Sequence, residues 1–218
     1  MSYKIELSGV SKSIKGIKVL DSIDLQLEAG KIYGFQGKNG SGKTMLFRTI
    51  CGLILSTEGE IRIDGEKLGK DLSFPRSVGI LIEYPGFLSQ YTGLKNLQII
   101  ASIKNEISEK EIKKSIAKLG LDPMDKRKYR KYSLGMKQRL GIAQAIMENP
   151  DILILDEPTN ALDEAGVTLV RDLLIKLRNE GKTILIASHD KEELEWLVDE
   201  QYTMENGKII HFKSVQEV

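Results

Sequence analysis

Apolar residues recur along this chain with two different periods. Near the start they alternate with polar ones, Ile5 and Leu7, then Ile23, Leu25 and Leu27, which predicts strands with one buried face. The stretch GEIRIDG (Gly59 to Gly65) reads as a further short strand between glycine turns, so the first third is expected to be antiparallel. KIYGF (Lys31 to Phe35), DILILDE (Asp151 to Glu157) and KTILIAS (Lys182 to Ser188) are instead dense apolar runs, the pattern of parallel strands covered on both faces. Helical spacing lies between them. Ser108 to Leu119 opens with a capping box, Ser108-x-x-Glu111, places Ile112, Ile116 and Leu119 on one face, and stops at Gly120. Val167, Val170, Leu174 and Leu177 mark a second amphipathic helix before Gly181, and MENGKII predicts a hairpin turning at Asn206-Gly207. Strands interleaved with helices predict an α/β fold with a parallel core sheet and an antiparallel portion.

Composition narrows the function. The 218 residues carry 32 Lys+Arg against 31 Asp+Glu, a net charge of +1, so no global basic field recruits nucleic acid, which is not an expected partner. The single cysteine, Cys51, cannot form an internal disulfide, which favours a reducing compartment. MSYKIELSGV alternates where a signal peptide needs an apolar stretch, and no run approaches the roughly 18 apolar residues of a membrane span. The chain is expected to be cytoplasmic.

Chemistry begins at GKNGSGKT, Gly37, Lys38, Asn39, Gly40, Ser41, Gly42, Lys43 and Thr44, which follows an apolar strand and precedes a helical pattern. Its glycines let the backbone turn tightly, so that successive N–H groups and the helix that follows face phosphate oxygens. Lys43 would reach the β- and γ-phosphates, and the Thr44 hydroxyl would coordinate magnesium. In ILILDEPTNALDE, a buried strand delivers Asp156 to the edge of the sheet where α/β folds keep ligands; it would complete the magnesium site, with Glu157 orienting and deprotonating the attacking water. His189 stands just beyond another apolar strand and is expected to contact the γ-phosphate or that water. The stretch RKYSLGMKQRLGIAQAI puts Ser133 and Gly135 at the mouth of a helix, where unpaired N–H groups are ready for an anion.

Taken in this order, GKNGSGKT, SLGMKQR, ILILDE, ALD (Ala161 to Asp163) and His189 make nearly the whole chain resemble the nucleotide-binding subunit of an ATP-binding cassette (ABC) transporter. The resemblance implies an α/β phosphate-loop NTPase core with an antiparallel β-subdomain and a helical subdomain inserted at about residues 84–150 of a single domain, 1–218. It implies an ATPase using ATP and Mg2+ that dimerises head to tail with a second nucleotide-binding subunit, identical or not. Ser133 and Gly135 would then bind the γ-phosphate of a nucleotide held by the other subunit's phosphate loop. It also implies a separate transmembrane permease subunit that keeps the protein at the inner face of the cell membrane; Tyr84, Pro85, Phe87 and Leu88 suit a docking groove for its cytoplasmic helix, the alternative being that some of them serve ordinary subdomain packing. Two positions depart from the family pattern. Ile14 stands where an aromatic ring usually stacks on adenine, leaving the base to be held more loosely or by Tyr3 or another ring. Glu83 stands at the usual glutamine position, from which it can ligate magnesium or orient water as a catalytic residue. LIEYPGFLSQYTGLKNL looks most like subunits that export antimicrobial peptides or confer self-immunity to them. Other readings are a soluble cassette ATPase working on nucleic acid or ribosomes and a nucleotide-gated module that barely hydrolyses.

Overall fold

A computed structural model describes residues 4–83 and 85–214. Its elements are β1 (Ile5–Ile14), β2 (Ile17–Leu27), β3 (Ile32–Gln36), α1 (Lys43–Ile50), β4 (Glu58–Ile63), β5 (Glu66–Lys67), β6 (Val78–Leu81), α2 (Gly93–Lys104), α3 (Glu109–Lys118), α4 (Leu134–Ile146), β7 (Ile152–Asp156), α5 (Glu164–Asn179), β8 (Thr183–Ser188), α6 (Lys191–Glu195), β9 (Glu200–Glu205) and β10 (Lys208–Ser214). They form two sheets. The first, in the order β2-β1-β4-β5, is antiparallel throughout. The second runs β10-β9-β3-β8-β7-β6, parallel except where β10 turns back on β9 through the Asn206-Gly207 hairpin.

Period-two side-chain alternation explains why the dense apolar strands sit in the middle. Ile152, Ile154, Leu185, Ala187, Tyr33 and Phe35 face a core shared with the antiparallel sheet and α1. Their neighbours Leu153, Leu155, Ile184, Ile186 and Ile32 face a second core built with α4 and α5. Every residue of β7 and β8 is buried, and each such Leu, Ile or Phe contributes about 1.5–3 kcal/mol relative to exposure. The α3 capping box is present as expected, with Ser108 and Glu111 each bonding the other's backbone N–H.

Two elements go beyond the sequence expectation. Strand β6 is only four residues long. In α2 the inward position Asn96 is polar: its side chain accepts from the Leu88 N–H and donates to the Leu88 and Thr92 carbonyls, clamping the segment that leads into the helix. Of the residues expected to dock a membrane subunit, Phe87 packs edge-on against Tyr129 at 5.2 Å and Pro85 lies against α4 at Gly141, so both serve internal packing. Leu88 stays exposed, and Tyr84 lies outside the described residues.

Helix α4 approaches edge strand β6 so closely that a β-carbon at Gly79 would run into the Ala145 carbonyl and lie 2.8 Å from Pro150 Cγ. Gly79→Ala is therefore expected to destabilise the fold by about 3 kcal/mol, read by urea unfolding.

Candidate functional site

The loop between β3 and α1 wraps around an open helix mouth. Helices α2, α3, α4 and α5 are capped by the side chains of Thr92, Ser108, Ser133 and Asp163, whereas α1 begins at Gly42, which has no side chain to cap it. Gly40 and Gly42 take φ values of 82° and 108°, a region that costs a β-carbon-bearing residue about 1 kcal/mol or more. The first N–H groups of α1 are thus left for an outside acceptor. Lys43, buried at 6% exposure, folds its ammonium onto the Gly37 carbonyl at 2.5 Å and approaches that of Lys38 at 3.5 Å. The Ser41 hydroxyl is buried, and it has no partner among the described residues.

Thr44, on the first turn of α1, donates its hydroxyl hydrogen to Oδ2 of Asp156, the last residue of β7, at 2.6 Å. Burial first of all, and Glu83 nearby, raise the affinity of the Asp156 carboxyl for its proton; the Thr44 hydrogen bond, Lys43 and Arg48 oppose the rise. A hydroxyl and a desolvated carboxylate that face each other beside a phosphate-sized cradle suit a hard cation that takes its remaining oxygens from a phosphate. Among the described residues no three or more His, Cys, Asp or Glu gather as a metal cage.

Just beyond Asp156, the backbone of Glu157 turns to φ 51° and donates its N–H to the Ala187 carbonyl. That turn brings Oε2 of Glu157 within 2.8 Å of His189 Nδ1. Glu157 is 23% exposed and His189 64%, so the pair stands at the rim of the site with the histidine outermost. A non-glycine residue held in this region costs about 1–3 kcal/mol and is found where geometry serves chemistry.

Glu83 also reaches the cleft, at φ 60°, but its carboxylate turns onto Arg48 of α1, 2.7 Å from the guanidinium. The cleft, of about 630 Å³, is lined by Thr44, Glu83, Asp156 and Glu157, and also by Gln138, Asn160, Asn206 and Gly207. None of the last four was expected as a site residue, although Asn206-Gly207 was expected as a hairpin turn and Gln138 falls within SLGMKQR. Gln138, on the second turn of α4 and itself within SLGMKQR, donates to the Glu157 and Pro158 carbonyls, so this helix is bolted to the loop that holds Glu157. The Asn206-Gly207 turn packs over the phosphate loop, with the Gly207 N–H bonding the Ser41 carbonyl. Ile14 and Ile17 flank the β1–β2 turn; Ile14, expected at the adenine position, is not among the residues that line the cleft, whereas Ile17, 69% exposed, is, and Tyr3 lies outside the described residues.

Ser133 and Gly135 are not among the residues that line this cleft. Ser133 caps α4 by accepting from the Met136 N–H, and a β-carbon at Gly135 would lie 2.9 Å from the Ala161 carbonyl, so each has a local packing role. Both nevertheless leave the helix mouth facing outward, with Leu134 62% exposed between them.

Residues 20–160 match the ABC transporter family. Over 205 residues the chain is 51% identical to the ABC transporter ATP-binding protein YybJ of Bacillus subtilis (strain 168), covering 94% of each. The chain belongs to the ABC transporter family. It is 39% identical to the bacitracin transport ATP-binding protein BcrA of Enterococcus faecalis, covering all of this chain and 71% of that one. With the lantibiotic transport ATP-binding protein SrtF of Streptococcus pyogenes the identity is 35%, over 94% and 89%. The dimeric structure of MJ0796, a bacterial ABC transporter cassette, matches with a TM-score of 0.89 at 26% identity, covering 98% of this chain and 100% of that one. As an ATP-binding subunit of an ABC transporter, the protein binds and hydrolyses ATP to power transport. No helix among the described residues is long and apolar enough to cross a membrane.

The raised proton affinity of Asp156 has a definite sign. At pH well above its ordinary value of 3.8 the folded state carries a desolvated charge that the unfolded chain does not, so this group weakens the nucleotide-free protein as pH rises through its shifted pKa. Asp156→Asn is expected to melt at or above the wild type near neutral pH, with the difference shrinking as pH falls towards 3.8. Added Mg-ATP should raise the melting temperature of the wild type far more than that of the variant. A variant that melts lower at every pH would contradict this account.

Proposed function

We propose that this subunit binds Mg-ATP across the loop Gly37 to Thr44 and hydrolyses it with Glu157, His189 and Glu83, as one of two nucleotide-binding subunits serving a separate transmembrane permease. The observation that carries the reading is convergence. The uncapped mouth of α1, the Thr44–Asp156 pair and the Glu157–His189 pair all open on one edge of the parallel sheet. Thr44 and Asp156 would hold magnesium, whose charge would offset that of the phosphates. Lys43, now resting on loop carbonyls, has the length and charge to exchange them for phosphate oxygens. Glu157 accepts the proton of the attacking water, while His189, bonded to the same carboxylate, holds it in place and completes the ring of contacts.

The outward-facing mouth of α4 supports a second nucleotide contact made in trans. Ser133 and Gly135 lie outside the cleft of their own chain, and the solved neighbour MJ0796 is a dimer. In this proposal each chain offers its phosphate loop to one nucleotide and its SLGMKQR helix to the other. Segment 84–150, which contributes α2, α3 and α4, acts as the helical subdomain within a single 1–218 nucleotide-binding domain. Its exposed Leu88, beside the Glu83 segment, suits contact with a cytoplasmic helix of the permease, which would hold the subunit at the inner face of the membrane. CbiO1 of Clostridium perfringens, 25% identical, is part of the ABC transporter complex cbiONQ. The bacitracin and lantibiotic relatives favour an antimicrobial peptide as the permease's cargo.

Steady-state phosphate release from the purified protein tests the reading. Glu157→Gln is expected to lose activity by about a hundredfold to a thousandfold while still binding a fluorescent ATP analogue. A variant with near wild-type turnover would remove Glu157 from the reaction.

A further inference from the structure

Arg48 has no place in the reaction just described, yet it lies on the working face of α1. It follows Thr44 by four residues, one helical turn, so the two side chains share a face. One looks at Asp156 and the other at Glu83. Three carboxylates, Glu83, Asp156 and Glu157, therefore line a cleft meant for a triphosphate. Arg48 pairs with the outermost of them: Glu83 has a 60% exposed side chain, and the Arg48 side chain is itself 32% exposed. An ion pair so open to water is held weakly and is easily exchanged for a stronger partner. Glu83 lines the same cleft as Thr44 and Asp156, which puts the Arg48–Glu83 pair beside their oxygens. The backbone of Glu83 is already turned into the left-handed region at φ 60°, on the connection between β6 and α2, so its side chain is aimed at the cleft rather than along the strand.

We propose that Arg48 is a positioning residue that holds Glu83 away from the metal in the nucleotide-free protein and yields it when magnesium and nucleotide arrive. The inference rests on the cleft being the Mg-nucleotide site. A neutral side chain at position 83 would need no counter-charge; a glutamate there repels phosphate unless something neutralises it, and Arg48 does so until a divalent cation takes over. The Arg48–Glu83 pair thus competes with magnesium for one carboxylate and sets the magnesium concentration at which the site fills.

The test is a thermodynamic cycle read by binding. Wild type, Arg48→Ala, Arg48→Lys, Glu83→Gln and the double variant Arg48→Ala/Glu83→Gln are titrated with Mg2+ at a fixed concentration of a fluorescent, non-hydrolysable ATP analogue. The half-saturating Mg2+ concentration is then read from the nucleotide signal. Arg48→Ala is expected to lower it by about threefold to tenfold when Glu83 is present and by less than about twofold when it is glutamine, with Arg48→Lys close to wild type. Equal effects in both backgrounds would mean that Arg48 acts through its own charge alone, and no effect in either would mean that Glu83 is never handed to the metal; each result overturns the proposal. If the wild type shows no Mg2+-dependent nucleotide signal, it is the nucleotide reading of the cleft that fails, and this inference falls with it.

Discussion

The parallel register of three buried strands is the constraint on which the site depends. Gln36 at the end of β3 pairs with Ser188 at the end of β8, and Asp156 at the end of β7 pairs with Ala187 of the same strand. Because these ends are level, the phosphate loop, the Asp156–Glu157 turn and His189 all leave the sheet along one edge. A slip of one residue in β7 would exchange the faces on which Leu155 and Asp156 lie, putting the carboxylate into an apolar core. Register is held because both faces of β7 and β8 are apolar and occupied, one by the antiparallel sheet with α1, the other by α4 and α5. The placement of these side chains along one edge thus follows from hydrophobic burial on two sides.

At that edge the fold is polarised against its own stability. Asp156 is a buried carboxylate that retains its proton more readily than usual, Glu157 and Glu83 adopt left-handed backbone conformations, and α1 starts without a side-chain cap. Each feature costs the nucleotide-free protein something, and a phosphate-bound cation would offset the Asp156 charge while phosphates would satisfy the open N–H groups of α1. Neighbouring contacts hold the strained turn in place: Gln138 grips the Glu157 and Pro158 carbonyls, Ala187 accepts the Glu157 N–H, and the Asn206-Gly207 turn closes over the phosphate loop. Elements far apart in sequence therefore stiffen a cleft whose lining comes largely from short motifs.

Those short motifs were legible in the sequence because each is a local signal: glycines where the backbone must turn, an apolar run that ends in Asp156, a capping residue ahead of a helix. The strands of the core were legible for the same reason, by their period and density. What escaped was relational. Asn96 breaks the apolar stripe of α2, yet its value lies in clamping Leu88 and Thr92, which only the fold brings near. Arg48 looks like an ordinary helix residue until β6 carries Glu83 to within 2.7 Å of it. Pro85 and Phe87 were expected at a docking groove or in subdomain packing, and the half-buried pair packs against Gly141 and Tyr129. The role of Gln138 needs the contact between α4 and the Glu157 loop.

The central claim is that one chain carries two halves of a nucleotide site, a phosphate loop for its own ATP and a helix mouth at Ser133 for a partner's. Light scattering of Glu157→Gln with and without Mg-ATP, repeated with Ser133→Arg added, tests it most directly. The account predicts that Mg-ATP doubles the mass of the single variant and that the added arginine keeps the protein monomeric while it still binds nucleotide. Tight ATP binding by Glu157→Gln with no change in mass, or a dimer that forms equally well with Arg at position 133, would contradict it.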